Sequence, residues 1–294
     1  MTRLRVGTRA SDLALIQANW VIEQLRAADA TLAVEIVAIK TAGDMVKGPR
    51  SDAAWPVGAF TTEIERALLG GDIDLAVHSY KDLPAAATPG LIVAAVPDRE
   101  AVHDVLVARE PIDLDHLPRR FRIGTGSPRR AAQWRRWADV VIVPIRGNVP
   151  TRLKRMESDA LDGVVLAAAG LNRLGVDLAY TANLPLDRFV PAPAQGALAV
   201  QIREDAAFRE TIARLDHPLT RRRVDAERSF LKATNAGCHV PVAALATIAD
   251  QCVALHGQWF SDDGERLVEG IEVGGDAEQV GTTLANRLRE QRNP

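Results

Sequence analysis

The amino-acid sequence predicts an α/β protein built from two successive βαβ domains and a small α+β domain. Three observations carry this. Short β-branched runs alternate with amphipathic helical stretches through the first two thirds of the chain. After the proline-containing stretch VPAPAQG, a further apolar run is placed to return to the first domain as a strand. Beyond residue 217 the pattern changes to one helix, a cysteine-bearing loop, alternating strands and a last helix. A chain of 294 residues, 47% of them hydrophobic, exceeds the size of one ordinary core. The expected domains are 1–98 with 195–216, then 99–194, then 217–294.

Residues 4–7 read as the first strand, and Leu13, Ile16, Trp20 and Leu25 as one face of the helix after it. A strand over 34–39, a helix over 61–69 and a strand over 73–77 complete the first unit. The second has candidate strands at 105–108, 121–124, 140–143 and 163–168, with helices following GTGSPRR and NVPTR. This order implies largely parallel sheets with ligands near the strand ends. A strand at 197–202, a helix at 220–234, strands at 253–258 and 266–273 and a helix at 277–289 follow. No internal repeat or low-complexity stretch is visible.

Charge is unevenly spread. The chain carries a formal −2, yet from Arg119 to Arg155 ten arginines and one lysine face a single acid, Asp139. This is a basic island in an otherwise acidic protein. Aromatic interleaving of the kind nucleic-acid binders use is limited there to Trp134 and Trp137, which argues against a nucleic-acid surface. The polar start MTRLRVGTRASDLAL and the lack of a long uncharged apolar run point to a soluble, cytoplasmic protein with no membrane association. Only two cysteines, Cys238 and Cys252, fit a reducing compartment and give no metal spacing, and the six histidines form no HExxH, so no metal is expected.

Only five lysines occur, so Lys81 in VHSYKDLP stands out. With Ser79 and Asp82 it presents a hydroxyl, a cation and a carboxylate just past an apolar strand, where α/β sheets bind ligands. An ordinary turn before Pro84 is the plainer account. GTGSPRR offers Thr125 and Ser127, glycines that let backbone amides approach a ligand, a proline suited to a first helical turn, and the pair Arg129 and Arg130. Arginine forks suit carboxylates, and a phosphate would satisfy the pattern equally well. No GxxxxGKT or GxGxxG pattern supports a nucleotide. Cys238, in NAGCHVP, follows a glycine in a tight loop where a thiol can react. Cys252 reads as a buried strand residue, and His78 as a structurally satisfied histidine rather than a catalyst.

Nine segments together resemble the porphobilinogen deaminase family: LRVGTRASDLALIQA, KTAGD, VGAFTTEIERALL, DLAVHSYKDLP, GTGSPRRAAQ, PIRGNVPTRL, LAAAGLNRLG, PAPAQGALAV and AERSFLKATNAGCHVPV. The resemblance runs nearly end to end. It implies two domains like those of periplasmic binding proteins plus a small α+β domain carrying the cofactor cysteine. It further implies a dipyrromethane cofactor in thioether linkage to Cys238 and head-to-tail condensation of four porphobilinogen molecules into hydroxymethylbilane, with release of ammonia. By the same resemblance Asp82 is the catalytic aspartate. Arg9, Arg129, Arg130, Arg146 and Arg152 supply cations for the acetate and propionate on every ring, and Ser11, Ser79, Lys81, Thr125, Ser127, Asn148 and Gln195 complete the binding set. A buried carboxylate would stabilise the positive charge that develops on a pyrrole nitrogen when the amine leaves. The family further implies a monomer whose product passes to a uroporphyrinogen-forming enzyme.

The chain departs from the family pattern in several places. It has Val57, Gly58, Ala59, Phe60, Thr61 and Thr62 where relatives carry lysines, Asp12 for a proline, Gly126 for a serine and Pro128 for a leucine. REAVHD at 99–104 lacks an arginine that relatives often have. Two other functions stay open at this level: a non-enzymatic binder of small anions with the same architecture, and a diverged paralogue with altered chain length.

Overall fold

The computed structural model describes residues 3–45, 58–235 and 240–292. The chain begins β1 (Arg3–Arg9), α1 (Asp12–Ala28), β2 (Ala33–Ile39), α2 (Ala42–Met45), α3 (Thr62–Leu69), β3 (Leu75–Ser79) and β4 (Leu91–Ala95). It continues with β5 (Asp104–Ala108), β6 (Phe121–Gly124), α4 (Pro128–Trp137), β7 (Val140–Val143), α5 (Val149–Ser158), β8 (Gly163–Ala167), α6 (Ala168–Leu174) and β9 (Thr181–Asn183). It closes with β10 (Leu198–Arg203), α7 (Arg209–Ala213), α8 (Pro218–Thr234), β11 (Val242–Ala249), β12 (Cys252–Phe260), β13 (Leu267–Gly274) and α9 (Ala277–Arg292). Two compact units result. The described residues of the first fall within Met1–Gly48, Trp55–Glu100 and Gly196–Val224, and those of the second within Ala101–Gln195 and Asp225–Pro294.

The first unit is a five-stranded sheet in the order β2-β1-β3-β10-β4. β1 runs parallel to β2 and β3, whereas β10 is antiparallel to both β3 and β4. The expectation of a largely parallel sheet is therefore corrected to a mixed one, because the returning strand enters from the opposite end. Period-2 alternation puts Leu75 and Val77 against α1 and Ala76 against α3, so helices cover both faces. The buried stripe of α1 is Ala14, Gln17, Ala18, Val21, Ile22 and Leu25. Of the four residues expected on its inner face only Leu25 is there, and Ile16 and Trp20 are each 37% exposed. Small residues at 14 and 18 let the helix approach the sheet, and that decides the phase over side-chain hydrophobicity.

The second unit repeats the pattern with a different sequence. Its five-stranded sheet has the order β7-β6-β8-β5-β9, with β6 parallel to β7 and β8 and β5 antiparallel to β8 and β9. Both sheets thus place three parallel strands beside an antiparallel strand and a final edge strand, the architecture of two periplasmic-binding-protein-like domains. Val105 and Val107 pack toward α5, and Leu106 toward α4 with Trp134 and Phe189. Trp134 is fully buried, its ring centroid 5.3 Å from Trp137 and 4.7 Å from Phe189. Trp134 fills the core, and half-buried Trp137 packs against it.

The same unit holds an antiparallel sheet in the order β11-β12-β13, its inner face packed on α8 and α9 through Phe230, Leu255, Trp259, Leu284 and Leu288. β11 was absent from the sequence expectation because VAALATIA is rich in alanine, a weak strand former. Gly281 lets α9 approach α8: an added Cβ would lie 2.6 Å from the Phe230 backbone nitrogen. Cys252 opens β12 half-buried, which corrects its reading as a core residue, since a strand's first position lacks a covering neighbour. Trp134→Ala removes the largest fully buried side chain of the arginine-bearing layer. It is expected to cost about 3–5 kcal/mol, read as a lowered urea midpoint.

Candidate functional site

The site residues expected in the first unit gather at the carboxyl end of β3. This strand runs straight into a single tight turn, Tyr80–Asp82, which delivers Ser79, Lys81 and Asp82 within four residues. They line a pocket of about 110 Å³ with Arg9, Ser11, Gln17, Phe60, Thr61 and His78. Arg9 is the last residue of β1, parallel to β3, so both strand ends meet at one edge. Ser11 caps α1, its Oγ accepting from the Ala14 N–H at 3.4 Å. The Ser79 hydroxyl is engaged by the Gln17 amide at 3.0 Å. Asp82 is exposed, so the expectation of a buried catalytic carboxylate does not describe it in this structure.

Arg9 is held from two sides. Its Nη2 donates to Asp44 at 2.5 Å, and its guanidinium carbon lies 4.3 Å from the Phe60 ring centroid. Burial alone would raise the Asp44 pKa, but the hydrogen bonds from Arg9 and Thr41 outweigh it and hold the carboxyl below its ordinary value. Thr61 precedes α3 as its cap residue, yet its hydroxyl makes no capping bond and is buried without a hydrogen-bond partner. His78 lies on the face opposite Val77 and bonds through Nε2 to Gln201 Oε1 at 3.1 Å, while Gln201 Nε2 donates to Glu65. Because that Gln oxygen only accepts, Nε2 carries the proton. His78 is structural, as the sequence suggested.

In the second unit the glycine-rich segment behaves as its composition implies. Pro128 opens α4, Ser127 caps it by accepting from the Arg130 N–H, and Thr125 Oγ1 accepts from the Ser127 N–H at 3.1 Å. Gly126 is required by packing, since a Cβ there would meet the Ile145 carbonyl oxygen at 2.5 Å. The two arginines point inward. Arg129 is 4% and Arg130 5% exposed, and each donates from Nη2 to Asp104 at 2.7 Å. Arg129 Nη1 also reaches the Val190 carbonyl and Gln133 Oε1, and Arg130 Nη1 the Val165 carbonyl. Gln195 is fully buried, its amide donating to Asp104 at 2.9 Å and to the Val102 carbonyl at 2.7 Å. Burial would raise the Asp104 pKa, but the charges of Arg129 and Arg130 hold it far below the usual carboxylate range.

The remaining candidates sit around α5. Asn148 caps this helix, accepting from the Thr151 N–H at 3.0 Å, and Arg152 Nε donates to the Gly147 carbonyl at 2.8 Å. Gly147 has φ +115°, which glycine alone adopts freely. Arg146 is half-buried beside it. Cys238 lies outside the described residues. Among those described, no cluster of three or more His, Cys, Asp or Glu could hold a metal, and no helix is long and apolar enough to cross a membrane.

Sequence reasoning missed Asp104, Asp44, Gln17 and Phe60. Asp104 had one local signal: it is an acid abutting the apolar run VLVA, inside a segment singled out for the arginine it lacks rather than the acid it keeps.

Residues 4–210 match the family model "Porphobilinogen deaminase, dipyromethane cofactor binding domain", and residues 221–290 match "Porphobilinogen deaminase, C-terminal domain". The chain is 44% identical over 293 residues to the porphobilinogen deaminase of Moorella thermoacetica, covering 98% of this chain and 93% of that one. It is 44% identical to that of Geobacillus kaustophilus, with 99% and 95% covered, and 45% identical to that of Nocardia farcinica, with 98% and 86% covered. Among solved structures, a TRAP periplasmic solute binding protein from Desulfovibrio salexigens aligns with a TM-score of 0.44 at 10% identity, covering 73% of this chain and 72% of that one.

Burial pushes the His78 pKa down from 6.5 to about 4. Between these values the unfolded chain binds a proton that the folded chain refuses, so stability is full above pH 6.5 and falls as the pH drops toward 4. The thermal midpoint is expected to fall from pH 7 to pH 5, and to fall less in His78→Asn. Equal slopes in both proteins would remove His78 as the cause.

Proposed function

The chain belongs to the porphobilinogen deaminase family, and from that premise we propose that Asp82 is its catalytic carboxylate and Cys238 the anchor of its primer. The family activity is hydroxymethylbilane synthesis: porphobilinogen units are condensed head to tail, with loss of ammonia, on a covalently bound dipyrromethane. Neither a non-enzymatic anion binder nor an altered paralogue is favoured by this membership.

The residues present fit an acidic pyrrole primer. Thr61 Oγ1 and Arg130 Nε are buried polar atoms without protein partners, and cations and hydroxyls sit at helix starts and strand ends in both units. Arg9, Ser11, Ser79 and Lys81 in the first unit, and Thr125, Ser127, Arg129, Arg130, Arg146, Asn148, Arg152 and Gln195 in the second, are the candidates to hold it. When bound, the dipyrromethane supplies a pyrrole α-carbon as nucleophile.

The observation that carries this reading is the turn that sets Asp82 beside Lys81 and Ser79 at one end of β3, in a pocket shared with Arg9 and Ser11. As porphobilinogen loses its aminomethyl nitrogen as ammonia, the C–N bond breaks with its electron pair and positive charge spreads onto the pyrrole nitrogen. A carboxylate at Asp82 stabilises that charge by accepting the ring N–H. It can also take up the proton released when the new carbon–carbon bond restores aromaticity. Lys81 and Arg9 orient the ring by its acetate and propionate. The reading has the enzyme working in the cytoplasm as a monomer and passing its product to a uroporphyrinogen-forming enzyme. Having only two cysteines suits a reducing compartment.

Asp82→Asn is expected to keep the fold and the covalent adduct while turnover falls about 10²–10⁴-fold. Near-normal turnover would take Asp82 out of the mechanism. Intact mass of the denatured chain is expected to exceed the sequence mass by two porphobilinogens less two ammonias, and Cys238→Ser to lack that excess.

A further inference from the structure

We propose that Asp104 is a positioning residue whose buried carboxylate aims Arg129 and Arg130 at the acidic primer. The inference rests on the reading above and concerns a residue that makes no ligand contact itself.

β5 is antiparallel to β8, so its first residue, Asp104, pairs with Ala167 at the carboxyl end of the parallel strands. That is the edge where an α/β sheet receives ligands. The pleat turns Asp104 to the α4 side, the side of Leu106, and there it is fully buried. One oxygen accepts from Arg129, and the other from Arg130 and Gln195. Both guanidiniums, anchored further on the Val190 and Val165 carbonyls, are left with one fixed orientation.

Charge and position make opposite demands here. Two arginines and one aspartate leave a net single positive charge beside the start of α4, and α4 adds its free amides and dipole. A site built for attraction alone would do better without Asp104. What the carboxylate supplies is geometry, since an unanchored guanidinium loses the alignment a bidentate carboxylate contact requires. Arg130 Nε, buried with no partner, is the donor this arrangement holds in reserve.

The test uses chain produced without porphobilinogen, then incubated with it, the growth of the Cys238 adduct being followed by intact mass and scaled to the folded fraction from circular dichroism. Asp104→Asn raises the local charge while removing the shared anchor, and Asp104→Glu keeps the charge but shifts the carboxylate. Loading is expected to slow about tenfold or more in both. Loading of Asp104→Asn as fast as wild type or faster overturns the proposal in favour of attraction alone. If Asp104→Asn does not fold, Asp104→Glu decides, and wild-type loading there overturns it equally. Failure of both to fold would make Asp104 a folding residue only. Failure of the wild-type chain to load would instead strike at the functional reading itself.

Discussion

The arginine-bearing half of this protein is organised around the burial of one carboxylate between two guanidiniums. Asp104, Arg129 and Arg130 are all at least nine-tenths buried, and charges taken from water are tolerable only when each is paired and its remaining donors are satisfied. The fold meets most of that demand with backbone carbonyls from Val165 and Val190 and with side chains from Gln133 and Gln195, and leaves Arg130 Nε unpartnered. Gln133 carries the network onward: its amide donates to Gln258 of β12, whose own amide donates to Glu269 of β13. A hydrogen-bonded path therefore joins the arginine helix to the small antiparallel sheet.

A second constraint recurs in both five-stranded sheets. Parallel strands end at one edge, helices begin there, and three residues proposed to bind the ligand double as helix caps: Ser11 for α1, Ser127 for α4, Asn148 for α5. Capping fixes these side chains before any ligand arrives, and it directs free amide groups and the positive end of each helix toward the same edge. Preorganised donors of this kind cost no rearrangement when negative charge is bound. The first sheet carries Asp82 at its strand-end edge, and the second carries the paired arginines Arg129 and Arg130 at its own.

Much of the candidate site was legible because its signals are local. The run LAVHSYKDLP announces a strand ending in a turn with a cation and a carboxylate, and the strand and turn are found there. GTGSPRR announces a helix start, and Pro128 occupies its first turn beneath a serine cap. His78 was read as structural, and its hydrogen bond to Gln201 makes it so. The basic island, in contrast, is not a uniform surface: Arg129 and Arg130 turn into the interior, while Arg119 stays out beside Asp139.

By itself, then, the sequence determined the family, the alternation of strands and helices, the turn that carries Asp82 and the helix starts that favour an anion, because each depends on residues within a few positions of one another. Tertiary structure alone decided the antiparallel entry of β5 and β10, the phase of α1, and the inward turn of two arginines onto Asp104. Those outcomes depend on which distant segments pair and which face is buried. A guanidinium's direction is set by the acid that lies opposite it, 25 residues away in sequence for Arg129 and 26 for Arg130, and no local pattern records that distance.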